Sequence, residues 1–126
     1  MRDMTPASRK TLMVVEDDPE MRAMLAEVLF YRGYSVFSSD DARGACDLAR
    51  VLRPAVILCD VVMPVMSGFE AAERLRNDPV TSHIPVIFMT GHNYLADGPG
   101  DKTRWLFKPF TTDQLTETLE ETMAGS

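Results

Sequence analysis

The stretch Ala55-Val56-Ile57-Leu58-Cys59-Asp60-Val61-Val62-Met63-Pro64 decides the fold of this chain, because an unbroken apolar run ends abruptly in a carboxylate. Short apolar runs of this kind are typical of strands buried on both faces of a parallel sheet. The carboxylate of Asp60 therefore marks the point where a buried strand leaves the core. Other apolar runs of the chain also end in polar groups: Glu16 and Asp17 after residues 12–15, Thr90 after residues 86–89, and Lys108 after residues 105–107.

Helical patterns alternate with these runs, and the alternation predicts an α/β fold whose parallel sheet is covered by helices on both faces. Asp18 and Pro19 form a cap and first-turn proline, and we expect this helix to end at Gly33. Its predicted inward residues are Met21, Met24, Leu25, Val28 and Leu29. Capping-box patterns predict two later helices, which start at Ser67 and Thr111.

Length and composition limit the function. A chain of 126 residues is enough for one domain with a real core, and its charge of −6 argues against direct nucleic-acid binding. No apolar stretch approaches the roughly 20 residues of a membrane helix, so we expect no membrane insertion. Cys46 and Cys59 lie in apolar segments without CxxC spacing, which favours reduced core cysteines and a cytoplasmic protein. Residues 1–9 are predicted to be a disordered extension, not a signal peptide.

The polar strand ends predict a metal site. The carboxyl ends of parallel strands meet at one edge of a sheet, so Glu16, Asp17 and Asp60 should lie close together and repel one another. Their hard oxygen ligands favour Mg²⁺. We expect Asp17 and Asp60 to be direct ligands, Glu16 to act through water, and the backbone carbonyl of Val62 to contribute a further oxygen.

The same edge has the features of a site that accepts a phosphoryl group. Such a group on Asp60 would add negative charge, which Mg²⁺ and Lys108 would neutralise from two sides. Thr90 would donate a hydroxyl hydrogen bond to a remaining oxygen. The predicted catalytic residues are therefore Asp60, Lys108 and Thr90.

Four segments carry a resemblance to a known family: Val15-Glu16-Asp17-Asp18-Pro19, Leu58-Cys59-Asp60-Val61-Val62-Met63-Pro64, Met89-Thr90-Gly91 and Phe107-Lys108-Pro109-Phe110. In this order, and over nearly the whole chain, they resemble the receiver domain of two-component response regulators. The resemblance implies a flavodoxin-like doubly wound sheet of five parallel strands, in the order 2-1-3-4-5, with a receiver domain over residues 10–124. It further implies a cis peptide bond between Lys108 and Pro109.

The resemblance also implies a function. Asp60 would take a phosphoryl group from a histidine kinase or a histidine phosphotransfer protein, in a protein that is not a multiple-turnover enzyme and later loses the phosphate. Thr90 and Trp105 occupy the family's two switch positions, and the product would be a contact with a downstream protein target. We expect a stand-alone receiver that is a monomer or a weak, phosphorylation-dependent dimer.

Two features depart from the family pattern. Trp105 stands where the family usually has Tyr or Phe. The interval between Thr90 and Lys108 is several residues shorter than in typical receivers and rich in turn formers, which predicts a short or disordered fourth helix.

Other interpretations of single residues remain open. The alternatives are that Asp60 is a simple strand-end cap and that Lys108 is a solvated surface lysine. Trp105 could equally be a statically packed residue, and His92 an exposed loop residue. A haloacid-dehalogenase-type phosphatase would also use a strand-end aspartate, but its second acid would stand at position 62, which is Val62 here. A flavin-binding electron carrier would need a polar, Gly/Ser/Thr-rich phosphate loop after the first strand, where Glu16-Asp17-Asp18 of this chain would repel the phosphate.

Overall fold

A computed structural model describes residues 9–91 and 104–125. Five strands and four helices lie in this part of the chain and alternate up to the fourth strand, after which the fifth strand is the next described element. In chain order they are β1 Thr11–Val15, α1 Pro19–Tyr31, β2 Ser35–Ser39, α2 Ala42–Leu52, β3 Val56–Asp60, α3 Gly68–Arg76, β4 Val86–Thr90, β5 Arg104–Phe107 and α4 Thr112–Ala124.

All strand pairs are parallel, and the sheet order is β2-β1-β3-β4-β5. This order confirms the doubly wound topology that the family resemblance implied. Every residue of the central strand β3 is buried, as its apolar run predicted. The order places β1, β3 and β4 side by side, so their carboxyl ends adjoin one another.

The core has a layer on each face of the sheet, because successive side chains of a strand point to opposite faces. On β1, Met13 and Val15 pack in one layer with α2 and α3, whereas Leu12 and Val14 pack in the other with α1 and α4. Small side chains on α2 form the inner face of that helix: Ala42, Ala45, Cys46 and Ala49, all buried. Both cysteines are free and buried, as predicted.

Local signals set the helix ends. Asp18 caps α1 and accepts a hydrogen bond from Glu20 N at 3.0 Å, with Pro19 in the first turn. Complete capping boxes open α3 at Ser67 and α4 at Thr111. The peptide bond between Lys108 and Pro109 is cis, which confirms the expectation from the family resemblance.

One prediction of a core residue is wrong. The helical spacing predicts that Met24 lies on the inner face of α1, but its side chain is 47% exposed. Leu25 and Leu29 are the fully buried residues of this helix, and Met21 and Val28 pack partly against them. The inner stripe of α1 is therefore narrower than the apolar pattern suggested.

Two sequence predictions lie outside the described residues. The extension assigned to residues 1–9 falls there except for Arg9, and the short fourth helix predicted between Thr90 and Arg104 falls there together with His92. Within residues 9–91 and 104–125, no helix has the length and apolar character needed to cross a bilayer.

Candidate functional site

An acidic cluster lies at the carboxyl ends of β1 and β3. Single carboxylate oxygens of Glu16, Asp17 and Asp60 all lie within 4.8 Å of one another. Glu16 is 1% exposed and Asp60 is 8% exposed, while Asp17 is open to solvent. The structure thus brings together the three carboxylates that the sequence placed at two strand ends.

Lys108 joins this cluster from the end of β5. Its Nζ lies 2.9 Å from Glu16 Oε1 and 3.3 Å from Asp60 Oδ2. The backbone supports this position, because Lys108 N donates to Thr90 O at 2.8 Å and so ties the end of β5 to the end of β4. A single ammonium group therefore bridges two buried carboxylates.

These contacts control the charge of the lysine. Burial by itself would lower the pKa of Lys108, but the hydrogen bond to Glu16 and the negative charges of Asp60 and Glu16 outweigh it. The pKa of Lys108 is consequently raised above its ordinary value of 10.5. The ammonium form is retained at neutral pH, where a cation beside Asp60 can attract an anionic group.

Asp60 is held by the backbone around it. Its Oδ1 accepts a hydrogen bond from Val62 N at 3.3 Å, and Val61 N donates to Met89 O at 3.0 Å. Gly68 packs directly against the same strand end, since a Cβ at this position would lie 2.3 Å from Asp60 O. The first residue of α3 must be glycine for the helix to approach this closely.

The other predicted site residues lie at or near this edge. Thr90 is the last residue of β4 and is 1% exposed. Val62 follows Asp60, and its side chain is exposed. Trp105 is half-buried and lies on the sheet face toward α3.

Trp105 forms part of an aromatic cluster with three phenylalanines. Its ring centroid lies 5.5 Å from Phe88, 5.9 Å from Phe69 and 6.2 Å from Phe107, with the Phe107 ring nearly parallel. Phe69 and Phe88 also meet edge to face at 5.0 Å. The indole is therefore packed on several sides, although Phe107 in the same cluster is 45% exposed.

Sequence reasoning missed one residue near the site. Arg22, one turn into α1, donates from Nη1 to the backbone carbonyl of Glu16 at 2.8 Å. Glu16 N also donates to Ser39 O at 3.1 Å, so both backbone groups of Glu16 are held. The sequence spacing could have predicted this contact, because Arg22 lies one helical turn after the cap Asp18 and can therefore reach back toward the end of β1.

The acidic cluster fits a Mg²⁺ ion. Mg²⁺ takes hard oxygen ligands, commonly one or two carboxylates together with water. The cluster has three carboxylates within reach of one ion, and it contains neither His nor Cys. Its oxygen-only composition is therefore compatible with the predicted metal.

A cleft of about 310 Å³ lies elsewhere, between α2 and α3, with Arg50, Arg74 and Asp78 among its lining residues. None of the acidic cluster residues lines it. The acidic cluster and this cleft are therefore separate features of the structure.

Comparison with known proteins connects this geometry to a family. The response regulator receiver domain matches residues 12–120. Protein PilH of Pseudomonas aeruginosa is 32% identical over 118 residues, which cover 90% of this chain and 98% of PilH. The polar-differentiation response regulator DivK of Brucella anthropi is 30% identical over 115 residues, which cover 88% of this chain and 94% of DivK.

A solved structure gives the same result. The receiver domain of the sensor histidine kinase PA1611 from Pseudomonas aeruginosa, described with a magnesium ion in its active site cleft, matches with a TM-score of 0.85 and 26% identity. The match covers 94% of this chain and all of that one. Some relatives are much longer, and the chain spans only 8% of histidine kinase P4 of Formosa agariphila.

The sheet order, the acidic strand ends and these relatives agree with one another, and they give no support to the phosphatase alternative. The chain belongs to the response regulator receiver domain family of two-component signalling systems.

Proposed function

We propose that Asp60 is the phosphoacceptor of this receiver and takes its phosphoryl group from a phosphohistidine on a histidine kinase or a histidine phosphotransfer protein. An Asp60 carboxylate oxygen attacks phosphorus, the bond from phosphorus to the imidazole nitrogen breaks, and the imidazole leaves and is protonated by solvent. The observation that carries the proposal is the position of Asp60 between two other carboxylates and the Lys108 ammonium.

Each neighbouring group has a proposed role. Lys108 attracts the phosphoryl oxygens, and its raised pKa keeps it cationic for this purpose. Thr90 donates its hydroxyl to one of the same oxygens. These groups position the phosphoryl group and neutralise its negative charge without reacting themselves. The rate of phosphoryl transfer therefore depends on their geometry and charge.

Asp17 and Asp60 are the proposed direct ligands of Mg²⁺, and the Val62 carbonyl adds a further oxygen. Both carboxylate oxygens of Glu16 already accept hydrogen bonds, from Lys108 Nζ at 2.9 Å and Asp18 N at 3.2 Å, which favours contact through water. When bound, Mg²⁺ would neutralise part of the negative charge around the transferred group.

Phosphorylation would then change the surface that a partner recognises. Thr90 and Trp105 are the proposed switch residues, since one lies at the site and the other in the neighbouring aromatic cluster. The downstream target is a protein, and the receiver acts as a monomer or a weak phosphorylation-dependent dimer. The free, buried cysteines agree with a reducing compartment, and we propose the cytoplasm.

Acetyl phosphate with Mg²⁺ tests this function directly. Intact-mass spectrometry should find an adduct of about 80 Da on the original chain and none on Asp60→Asn. Asp47→Asn, on the surface of α2, is the matched control and should be labelled normally. Equal labelling of Asp60→Asn and the original chain would exclude Asp60 as the acceptor. Trp105 fluorescence, followed in the same experiment, should change if the indole is a switch.

A further inference from the structure

Arg22 lies beside the acidic cluster but does not pair with its carboxylates. Its Nη1 donates at 2.8 Å to the backbone carbonyl of Glu16, a group without net charge. Among the described residues, ion pairs are made by Arg32, Arg50 and Lys108, and Arg22 takes part in none of them. The helix macrodipole also disfavours a cation near the amino end of α1. The place of Arg22 is therefore explained by its hydrogen bond rather than by its charge.

This hydrogen bond orients the peptide group that precedes Asp17. A peptide group is planar, so the Glu16 carbonyl oxygen lies in one plane with the N and Cα atoms of Asp17. Glu16 N donates to Ser39 O at 3.1 Å, which ties the start of the segment to the end of β2. On the other side, Asp18 O accepts from Arg22 N at 2.9 Å. Since both flanks are held, the bond from Arg22 Nη1 fixes the plane between them and so the direction of the Asp17 side chain.

Repulsion within the acidic cluster acts against this orientation. Carboxylate oxygens of Glu16, Asp17 and Asp60 lie within 4.8 Å of one another. Lys108 bridges Glu16 and Asp60, whereas Asp17 is exposed and has no ion pair among the described residues. Like charges at this distance repel, and an exposed side chain reduces the repulsion when it turns toward water. A fixed peptide group opposes that movement and keeps the third carboxylate beside the other two.

We propose that Arg22 is a positioning residue, which holds Asp17 in the direction that a divalent cation requires and thereby raises the affinity of the cluster for Mg²⁺. The inference rests on the metal site of the proposed function. A ligand group that is already oriented loses less conformational freedom when the ion binds. Groups that orient metal ligands typically contribute about 10–100-fold to metal affinity.

Arg22→Met separates positioning from charge, because the two effects on Mg²⁺ binding have opposite signs. Methionine keeps an unbranched apolar side chain but has no hydrogen-bond donor. The substitution also removes a positive charge near the site, which by electrostatics alone would strengthen the binding of a cation. Loss of the hydrogen bond should outweigh this gain, so the apparent Kd for Mg²⁺ should rise about tenfold.

The measurement is the melting temperature of each variant over a series of Mg²⁺ concentrations, from which the apparent Kd follows. Arg22→Lys keeps the charge but has an ammonium group in place of the planar guanidinium, so its Kd should lie between those of Arg22→Met and the original chain. Arg43→Met is the matched control. It removes the same charge from an exposed residue of α2, and its Kd should stay within about twofold of the original value.

The proposal is overturned if Arg22→Met binds Mg²⁺ as tightly as the original chain or more tightly, or if Arg43→Met weakens binding to the same extent. If Arg22→Met does not fold, an unchanged Kd in Arg22→Lys overturns it. An original chain whose melting temperature does not respond to Mg²⁺ would instead refute the proposed metal site, and the role of Arg22 with it.

Discussion

Removing the charge of Asp17 should stabilise the metal-free protein and remove most of its stabilisation by Mg²⁺. Asp17→Asn keeps the size of the side chain but removes repulsion from Glu16 and Asp60, whose oxygens lie within 4.8 Å. Because Asp17 is exposed, the dielectric of water is the appropriate one, and each pair then repels by about 0.9 kcal/mol or slightly more. Two pairs give about 1–2 kcal/mol of relief, after allowance for lost attraction to Lys108.

The relief corresponds to a rise in melting temperature of about 3–8 °C for a domain of this size. Stabilisation by bound Mg²⁺, in contrast, should require the carboxylate of Asp17. A ligand at one hundred times its Kd stabilises the folded state by about 2.7 kcal/mol, so the original chain should melt well above its metal-free temperature. Asp17→Asn should lose most of that increase, because a proposed direct ligand is missing.

Calorimetry with EDTA and then with Mg²⁺ measures both effects. Asp47→Asn removes one surface aspartate elsewhere, on α2, and should match the original chain in both buffers. The same Mg²⁺-induced shift in Asp17→Asn and the original chain would refute the metal assignment. A lower metal-free melting temperature for Asp17→Asn would refute the electrostatic argument.

Two further substitutions test the support of Asp60. Lys108→Met should cost about 2–3 kcal/mol near neutral pH, since it leaves two buried carboxylates without their cation. The pKa of Lys108 is raised, so its stabilisation is complete below about pH 10.5 and is lost as the pH rises through the folded-state pKa. The difference in melting temperature between the original chain and Lys108→Met should therefore narrow above that pH. Lys10→Met is the control. A difference that stays constant with pH would contradict this link between the Lys108 charge and stability. Gly68→Ala should cost about 2–3 kcal/mol by urea unfolding and slow labelling of Asp60, because its Cβ would lie 2.3 Å from Asp60 O. Gly91→Ala, whose Cβ would meet its nearest atom at 4.0 Å, should cost little, and equal losses in the two variants would show that the close approach is unimportant.

Features with a local cause were predictable from the sequence. The caps at Asp18, Ser67 and Thr111 depend on side chains within three residues of the groups they bond. The buried strand that ends at Asp60 was equally recognisable, since its apolar run is continuous. The exposure of Met24 was not predictable, because the spacing of apolar residues on a helix does not show how much of the helix surface the neighbouring sheet covers.

The order of apolar runs and charged strand ends was by itself enough to determine the α/β class, the helix starts and the set of carboxylates that meet at one edge. These depend on short-range patterns and on the rule that parallel strands share a carboxyl edge. Only the tertiary structure decided which oxygens Lys108 contacts, which backbone group of Glu16 Arg22 binds, and why position 68 must be glycine. The physical reason is that distances of a few tenths of an ångström and single backbone angles result from the packing of distant segments, which sequence spacing does not encode.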